Sequence, residues 1–197
     1  MSFAGDVENG WMCVGTRADS VDYERQLWRP AIEIRDEAAD ALRAFAHGRV
    51  VEGRRTGRKD GKVGKRTPEQ ILTNDYQGLV AEYAVCLYLD TAFQMRYDPM
   101  NEFADVEPDL QIRSTHHLHG GLIIRPHERH RHARHILVIV HRQHAAIVGW
   151  KHGRDVLDLS NAHEWWRPEG YWLVPQHDLE PMSKLDMPPR LAPRWPA

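Results

Sequence analysis

The sequence predicts an α/β fold of the α+β kind, in which a central mixed β-sheet is flanked by helices. The first half of the chain contains two long segments with apolar residues at helical spacing. The second half contains short apolar runs separated by polar or glycine-rich links, which is typical of strands. One of these runs, HILVIV (135–140), is continuously apolar and predicts a central strand covered on both faces.

The length of 197 residues indicates one domain with tails. We expect an N-terminal extension over 1–28, a single domain over 29–180 and a proline-rich tail over 181–197. The only cysteines are Cys13 and Cys86, so neither a disulfide framework nor a CxxC zinc motif is indicated. Cys86 lies in an apolar segment and is expected to be a small core residue. The N-terminus lacks the features of a signal peptide and no run is long enough to cross a membrane, so the expected location is cytoplasmic.

Two helices are predicted in the first half. The first extends from about Pro30, a favourable first residue, to Val51. The second segment begins with a cap at Thr67, and Asn74 or Asp75 can cap its main apolar part, GLVAEYAVCLYLD (78–90). Because this part is apolar on most sides, we expect it to be buried.

The link between these helices is glycine-punctuated and strongly basic. It is either a solvated loop or a phosphate-contacting arm, because lysine and arginine on a flexible backbone can neutralise a nucleic-acid backbone. Its basic residues, the expected nucleic-acid contacts, are Arg54, Arg55, Arg58, Lys59, Lys62, Lys65 and Arg66.

The second half is predicted to form a β-meander. A strand-like segment FQMRYD (93–98) and an acidic turn (101–109) precede the alternating strand LQIRST (110–115). Further strands are expected at 117–126, 135–142 and 144–153, with Arg142-Gln143 as a tight turn. A short helix or loop over 153–166 and a last strand ending at Pro175 complete the prediction.

Glu82 lies in the middle of the apolar helix. A buried carboxylate is costly unless it is paired with a cation or bound to a metal ion. Two interpretations are therefore open: Glu82 lies at the helix edge beside a basic residue, or it is a metal ligand.

The order of a helix with Glu82, an acidic turn with Asp105 and Asp109, and the strand with Gln111-Ile112-Arg113 resembles the core of the PD-(D/E)xK nuclease superfamily, in particular its compact phage-encoded members. The resemblance covers roughly residues 78–179. It implies a restriction-endonuclease-like core, a phage- or bacteria-encoded intracellular protein, and Mg²⁺ or Mn²⁺ as cofactor. It implies a site formed by Glu82, Asp105 or Asp109, Gln111 and Arg113, with the acidic residues as metal ligands.

The triplet departs from the family pattern, because Gln111 stands where a glutamate is expected and Arg113 where a lysine is expected. Gln111 can offer a neutral amide oxygen only. Arg113 stays charged and cannot act as a base, but it can hold a phosphate group. Strand alternation puts Asp109, Gln111 and Arg113 on one face, so we expect Arg113 and Asp109 to share a cleft with Glu82.

Histidines offer a rival site, since most of the 13 lie in the second half of the chain. Imidazoles can bind Zn²⁺, but no zinc spacing is met and the interleaved arginines repel a cation. A polar hairpin tip rich in His and Arg, near phosphates, or a pH-sensitive surface are the other interpretations. The two groups are His116, His117 and His119, and His127, His130, His132 and His135.

The expected function is that of a metal-dependent nuclease that hydrolyses phosphodiester bonds, with DNA as the expected substrate. The alternative is a catalytically inactive module on the same fold that binds nucleic acid or a protein partner. A homodimer is a further expectation, and no membrane partner is expected. The sequence contains neither a G-x-S-x-G motif nor a P-loop, so serine hydrolase and P-loop chemistry are not indicated.

Overall fold

A computed structural model describes residues 31–55, 66–96, 104–106, 108–127, 130–160 and 163–186. The expected N-terminal extension, most of the basic link (56–65) and the last eleven residues (187–197) lie outside the described residues. The architecture is mixed α+β, as predicted, with a four-stranded mixed sheet, a three-stranded antiparallel sheet and flanking helices.

The first helix, α1, spans Asp36–Arg55 rather than beginning near Pro30. The residues before it form a short strand, β1 (Ile32–Glu33), which pairs antiparallel with a later strand. The backbone N–H of Ile34 continues this pairing by donating to the carbonyl of Gln143 at 2.8 Å. The spacing of Ile34 and Ala38 is compatible with a helix, but hydrogen bonding to the sheet overrides that local preference.

The second helix, α2, spans Pro68–Tyr88 as one element. Thr67 is its cap: its hydroxyl accepts from the N–H of Gln70 at 3.3 Å, and the Gln70 side chain accepts from the N–H of Thr67 at 2.9 Å. Asn74 and Asp75 lie inside this helix, so the prediction of a second cap there was wrong. Cys86 is buried in the core, as predicted.

The remaining elements are β2 (Leu110–Thr115), β3 (Leu122–Ile124), β4 (Arg134–His141), β5 (His144–His152), α3 (Gly153–Leu157), β6 (Trp166–Arg167) and β7 (Tyr171–Val174). Arg142 adopts a left-handed conformation, φ 55°, in the predicted two-residue turn between β4 and β5. The segment 93–96 is not a strand, contrary to expectation.

The strands do not form the predicted meander. The first sheet has the order β1-β5-β4-β2, in which β2 is parallel to β4 and the other pairs are antiparallel. The second sheet has the order β3-β7-β6 and is antiparallel throughout. The chain between β2 and β4 therefore passes through β3 in the second sheet. This passage is the crossover connection that the parallel pair of β2 and β4 requires.

Two apolar cores are built on opposite faces of β4. Ile136, Val138 and Val140 lie in the first core, between the first sheet and helices α1 and α2. Leu137 lies in the second core, between the two sheets. β4 is thus covered on both faces, as its sequence predicts. None of the helices in the described part of the chain is long and apolar enough to cross a membrane.

Candidate functional site

The candidate site lies at the outer edge of β2, the last strand of the first sheet in the described part of the chain. The turn before β2 is closed by two backbone hydrogen bonds between Val106 and Leu110, at 3.1 and 2.9 Å. One residue earlier, the Asp105 carboxylate accepts from the backbone N–H of Ile112 at 2.7 Å. The Asp105 carboxylate thus binds a backbone N–H that this strand edge would otherwise leave available for pairing with another strand.

Glu82 projects from the middle of α2 and is partly buried. Burial, and after it the negative charge of Asp105, raise the pKa of Glu82 to about 8. Arg49 and Arg96 oppose this increase in pKa, while Asp75 adds to it. A carboxyl group in this setting holds its proton near neutral pH until a positive charge compensates it.

Asp105 is in the same situation. Burial raises its pKa above the usual value, and the opposing influences are Arg113, the N–H of Ile112, Arg49 and His130, in that order. Since the charge on Asp105 acts on Glu82, the two carboxylates are brought together from a helix and a strand edge. That these two acids act together as metal ligands stays a prediction.

The position of the Arg113 side chain differs from the one that strand alternation predicts. Leu110 and Ile112 face the first core with α2, so Gln111 and Arg113 face the second sheet. One terminal nitrogen of Arg113 donates to the carbonyl of Ile112 at 3.4 Å, and its charge lowers the pKa of Asp105. Arg113 therefore interacts electrostatically with Asp105 from the side of β2 that faces away from the first core, and the expected cleft that Arg113 shares with Glu82 across one face was wrong.

Gln111 is buried on the face toward the second sheet, with 1% of its surface exposed. Its register partner on the parallel strand is the fully buried His135. The Nε2 atom of Gln111 has no hydrogen-bond partner among the described residues. The amide is thus surrounded by protein rather than presented to solvent at the strand edge.

Asp109 is placed in a different set of contacts. Its carboxylate accepts from the Nε of Arg134 at 3.1 and 3.0 Å and from Nη2 of the same guanidinium. Arg134 is the register partner of Leu110 and also donates to the carbonyl of Asp186. This pair joins the start of β2 to the start of β4, so the structure favours Asp105 over Asp109 as the partner of Glu82.

The basic link is described only at its ends. Arg54 and Arg55 close α1, and the Nε and Nη2 atoms of Arg55 donate to the Glu52 carboxylate at 2.7 and 2.6 Å. Arg66 is exposed just before the cap of α2. The other expected phosphate contacts, Arg58, Lys59, Lys62 and Lys65, lie outside the described residues.

Two carboxylates are a sparse ligand set for a metal ion. Within the described ranges, no group of three or more His, Cys, Asp or Glu side chains is arranged as a metal site. Mg²⁺, however, keeps several water ligands and is commonly held by one or two carboxylates together with substrate phosphates. The raised pKa values of Glu82 and Asp105 also fit a cation, because a divalent charge would relieve the repulsion between them.

Four residues near the pair were not predicted as parts of it. Arg49 comes from α1, Asp75 from α2, Arg96 from the segment after α2, and His130 from the link before β4. The local sequence around Arg49 and Arg96 does not indicate that they belong to a site, since an arginine on a helix or in a loop is usually solvated. His130 belongs to a histidine group that the sequence suggested could lie near phosphates.

Comparison with known proteins found no matching family model, no matching curated protein and no matching solved structure.

Proposed function

We propose that this protein is a metal-dependent nuclease that hydrolyses phosphodiester bonds, with DNA as its substrate. The observation that carries the proposal is the Glu82–Asp105 pair at the outer edge of β2, two desolvated carboxylates with raised pKa values among basic side chains. Paired acids with perturbed pKa values are more frequent at functional sites than elsewhere on a protein. The resemblance of the surrounding sequence to the PD-(D/E)xK superfamily supports the same reaction.

Each residue has a role that follows from its chemistry. Glu82 and Asp105 would hold a Mg²⁺ or Mn²⁺ ion, whose charge stabilises the phosphoryl oxygens and lowers the pKa of bound water. Arg113 would bind phosphate oxygens through its planar fork. Arg49, whose Nε has no hydrogen-bond partner among the described residues, would add positive charge to the same region.

The second candidate is a module that binds nucleic acid without cutting it. Its support is the burial of Gln111 on the side of β2 that faces the second sheet. The first position of the triplet is thereby removed from the strand edge where Asp105 lies. A site with only two carboxylates would then bind a metal ion weakly, and the basic residues would serve binding alone.

A cleavage assay separates these candidates. Plasmid, linear duplex and single-stranded DNA are incubated with Mg²⁺, Mn²⁺ or EDTA. We expect cleavage with metal only, and we expect Glu82→Gln and Asp105→Asn each to lower the rate at least about a hundredfold, because a bound metal contributes several kcal/mol to the transition state.

Two matched variants are the controls. Asp109→Asn removes an acid that is paired with Arg134, and Glu169→Gln removes an exposed acid between β6 and β7. Both should retain cleavage. If Asp109→Asn abolishes cleavage and Asp105→Asn does not, the assignment of the pair is wrong. Salt-dependent DNA binding with no cleavage under any metal supports the binding module instead.

A further inference from the structure

The second sheet has an outer face that is separate from the candidate site. Its inner residues Leu122, Ile124, Trp172 and Val174 are buried in the second core. The alternate residues Ile123, Tyr171 and Leu173 belong to neither core and are all partly exposed in the described part of the chain. Alternation along β3 and β7 therefore puts these three side chains together on the opposite face.

The register places two arginines on either side of the tyrosine. Arg167 on β6 is the direct partner of Tyr171 on β7. On the other side, Ile124 pairs with Trp172, so Arg125 comes next to Tyr171 across the β3–β7 pair. The guanidinium carbon of Arg125 lies 5.9 Å from the centroid of the Tyr171 ring. The result is a row of arginine, tyrosine and arginine across three strands.

The strands of this face contribute arginines and no acidic side chain, and the acids nearest along the chain, Glu164 and Glu169, lie before β6 and in the turn between β6 and β7. None of β3, β6 and β7 contains an acidic residue, as their sequences LII, WR and YWLV show. The guanidinium of Arg167 is held in place because its Nη1 donates to the carbonyls of Glu164 and Trp166, at 2.6 and 3.1 Å. A second row, Ile123 beside Leu173, adds apolar surface next to the charged row.

We propose that this outer face binds single-stranded nucleic acid. One unpaired base stacks on the Tyr171–Arg125 platform, because both an aromatic ring and a guanidinium plane accept a base face. Arg125 and Arg167 are two strand spacings apart, roughly 10 Å, so they can reach the phosphates on either side of that base. The apolar pair Ile123 and Leu173 contacts the next nucleotide.

The observations favour a single strand over other partners. In a duplex the bases are already stacked on each other, so the ring of Tyr171 would have no base face to contact. An acidic peptide would pair with the two arginines but would gain nothing from a tyrosine between them. The inference rests on the proposed nucleic-acid substrate, and it identifies the strandedness of that substrate.

The test is fluorescence anisotropy of a labelled oligothymidine of about twelve nucleotides, a length within the range of one small binding fold. It is done in EDTA, so cleavage plays no part. We expect Tyr171→Ala to weaken binding about tenfold and Tyr171→Phe to bind as the native protein does, since the ring is retained. Arg125→Gln should weaken binding and reduce the slope of log Kd against log salt by about 0.7.

Three controls keep the outcome unambiguous. Glu37→Gln, at an exposed acid in the first turn of α1, should bind as the native protein does, thermal unfolding confirms that each variant is folded, and a hairpin duplex of equal charge measures binding without stacking. Native-like binding by Tyr171→Ala would overturn the inference. So would an equal loss of duplex and single-strand binding, or displacement of the oligonucleotide by polyglutamate of the same charge as effectively as by unlabelled oligothymidine.

This result is independent of the cleavage result. Hydrolysis of bis(4-nitrophenyl) phosphate with Mn²⁺ reports on the Glu82–Asp105 site without any contact to the outer face. Tyr171→Ala should leave that hydrolysis unchanged. A protein that binds single strands through Tyr171 but hydrolyses nothing would therefore contradict the proposed nuclease activity alone.

Discussion

At the scale of single residues, Glu82 has the most informative environment. Its position in an apolar helix indicated a metal ligand or an acid paired with a basic residue. The structure places it beside a second acid, with Arg49 and Arg96 exerting a weaker opposing influence on its pKa. An acid kept near another acid in a desolvated position lowers the stability of the fold whenever both are ionised.

The pH dependence of the free energy of unfolding follows from the raised pKa of Glu82. The pKa of Glu82 in the folded protein is about 8, above its usual value of 4.5, so the stability present below pH 4.5 is lost as the pH rises through 8. We expect the free energy of unfolding in urea to fall between pH 5 and pH 8 by up to a few kcal/mol, at roughly 1.4 kcal/mol per pKa unit.

Glu82→Gln is the matched variant, since the neutral amide has the same shape as the protonated acid. It should be as stable as the native protein at pH 5 and more stable at pH 8. Mn²⁺ should raise the melting temperature of the native protein at pH 8 but not that of Glu82→Gln, because the metal needs the ionised carboxylate. A native stability that is flat over this range would refute the placement of Glu82 beside Asp105.

The sequence predicted some of these residues and could not predict others. Glu82 was recognisable because an acid in an apolar helix is costly wherever the helix packs. The choice between Asp105 and Asp109 depends on the tight turn between Val106 and Leu110, which no local pattern specifies. Arg49 was missed because its partner is far along the chain.

At the scale of elements, the start of α2 is stabilised by two reciprocal hydrogen bonds between Thr67 and Gln70. We expect Thr67→Ala to lower the free energy of unfolding by about 1 kcal/mol, since a lost cap leaves a backbone donor without a partner. Thr67→Ser keeps the hydroxyl and should cost much less. Urea unfolding measures both variants, and equal losses would show that the hydroxyl is not the cause.

Elements were predictable where the hydrophobic pattern extends over several residues and were missed where the element is too short to show a pattern. Strands β2, β4, β5 and β7 have alternating or continuous apolar runs, and each was predicted. Strands β1 and β6 contain two residues each, which is too few to show a period. Which strands pair was not predictable, because the parallel register of β2 and β4 depends on contacts between distant parts of the chain.

At the scale of the whole molecule, β4 joins the two cores. Ile136 is fully buried in the first core and its neighbour Leu137 is buried in the second. We expect Ile136→Ala and Leu137→Ala to cost similar amounts, about 2 to 5 kcal/mol each, because both leave a cavity in a packed core. Each variant should still unfold in a single transition.

The measurement compares two signals during urea unfolding. Far-ultraviolet circular dichroism reports on helices α1 and α2, which cover the first core, whereas tryptophan fluorescence includes Trp165, Trp166 and Trp172 around the second core, with Trp150 packed against the first. The two transitions should coincide in the native protein and in both variants. Separate midpoints would mean that the cores unfold independently.

The crossover between β2 and β4 has a consequence for the order of folding. β4 and β5 are joined by a turn of two residues and close a short loop, whereas β2 must pair across a link that carries β3 into the other sheet. The edge that brings Asp105 to Glu82 therefore forms late, after the hairpin of β4 and β5. Under the nuclease function proposed above, a newly made chain would acquire its carboxylate pair, and with it the ability to cut nucleic acid, only when the rest of the molecule is in place.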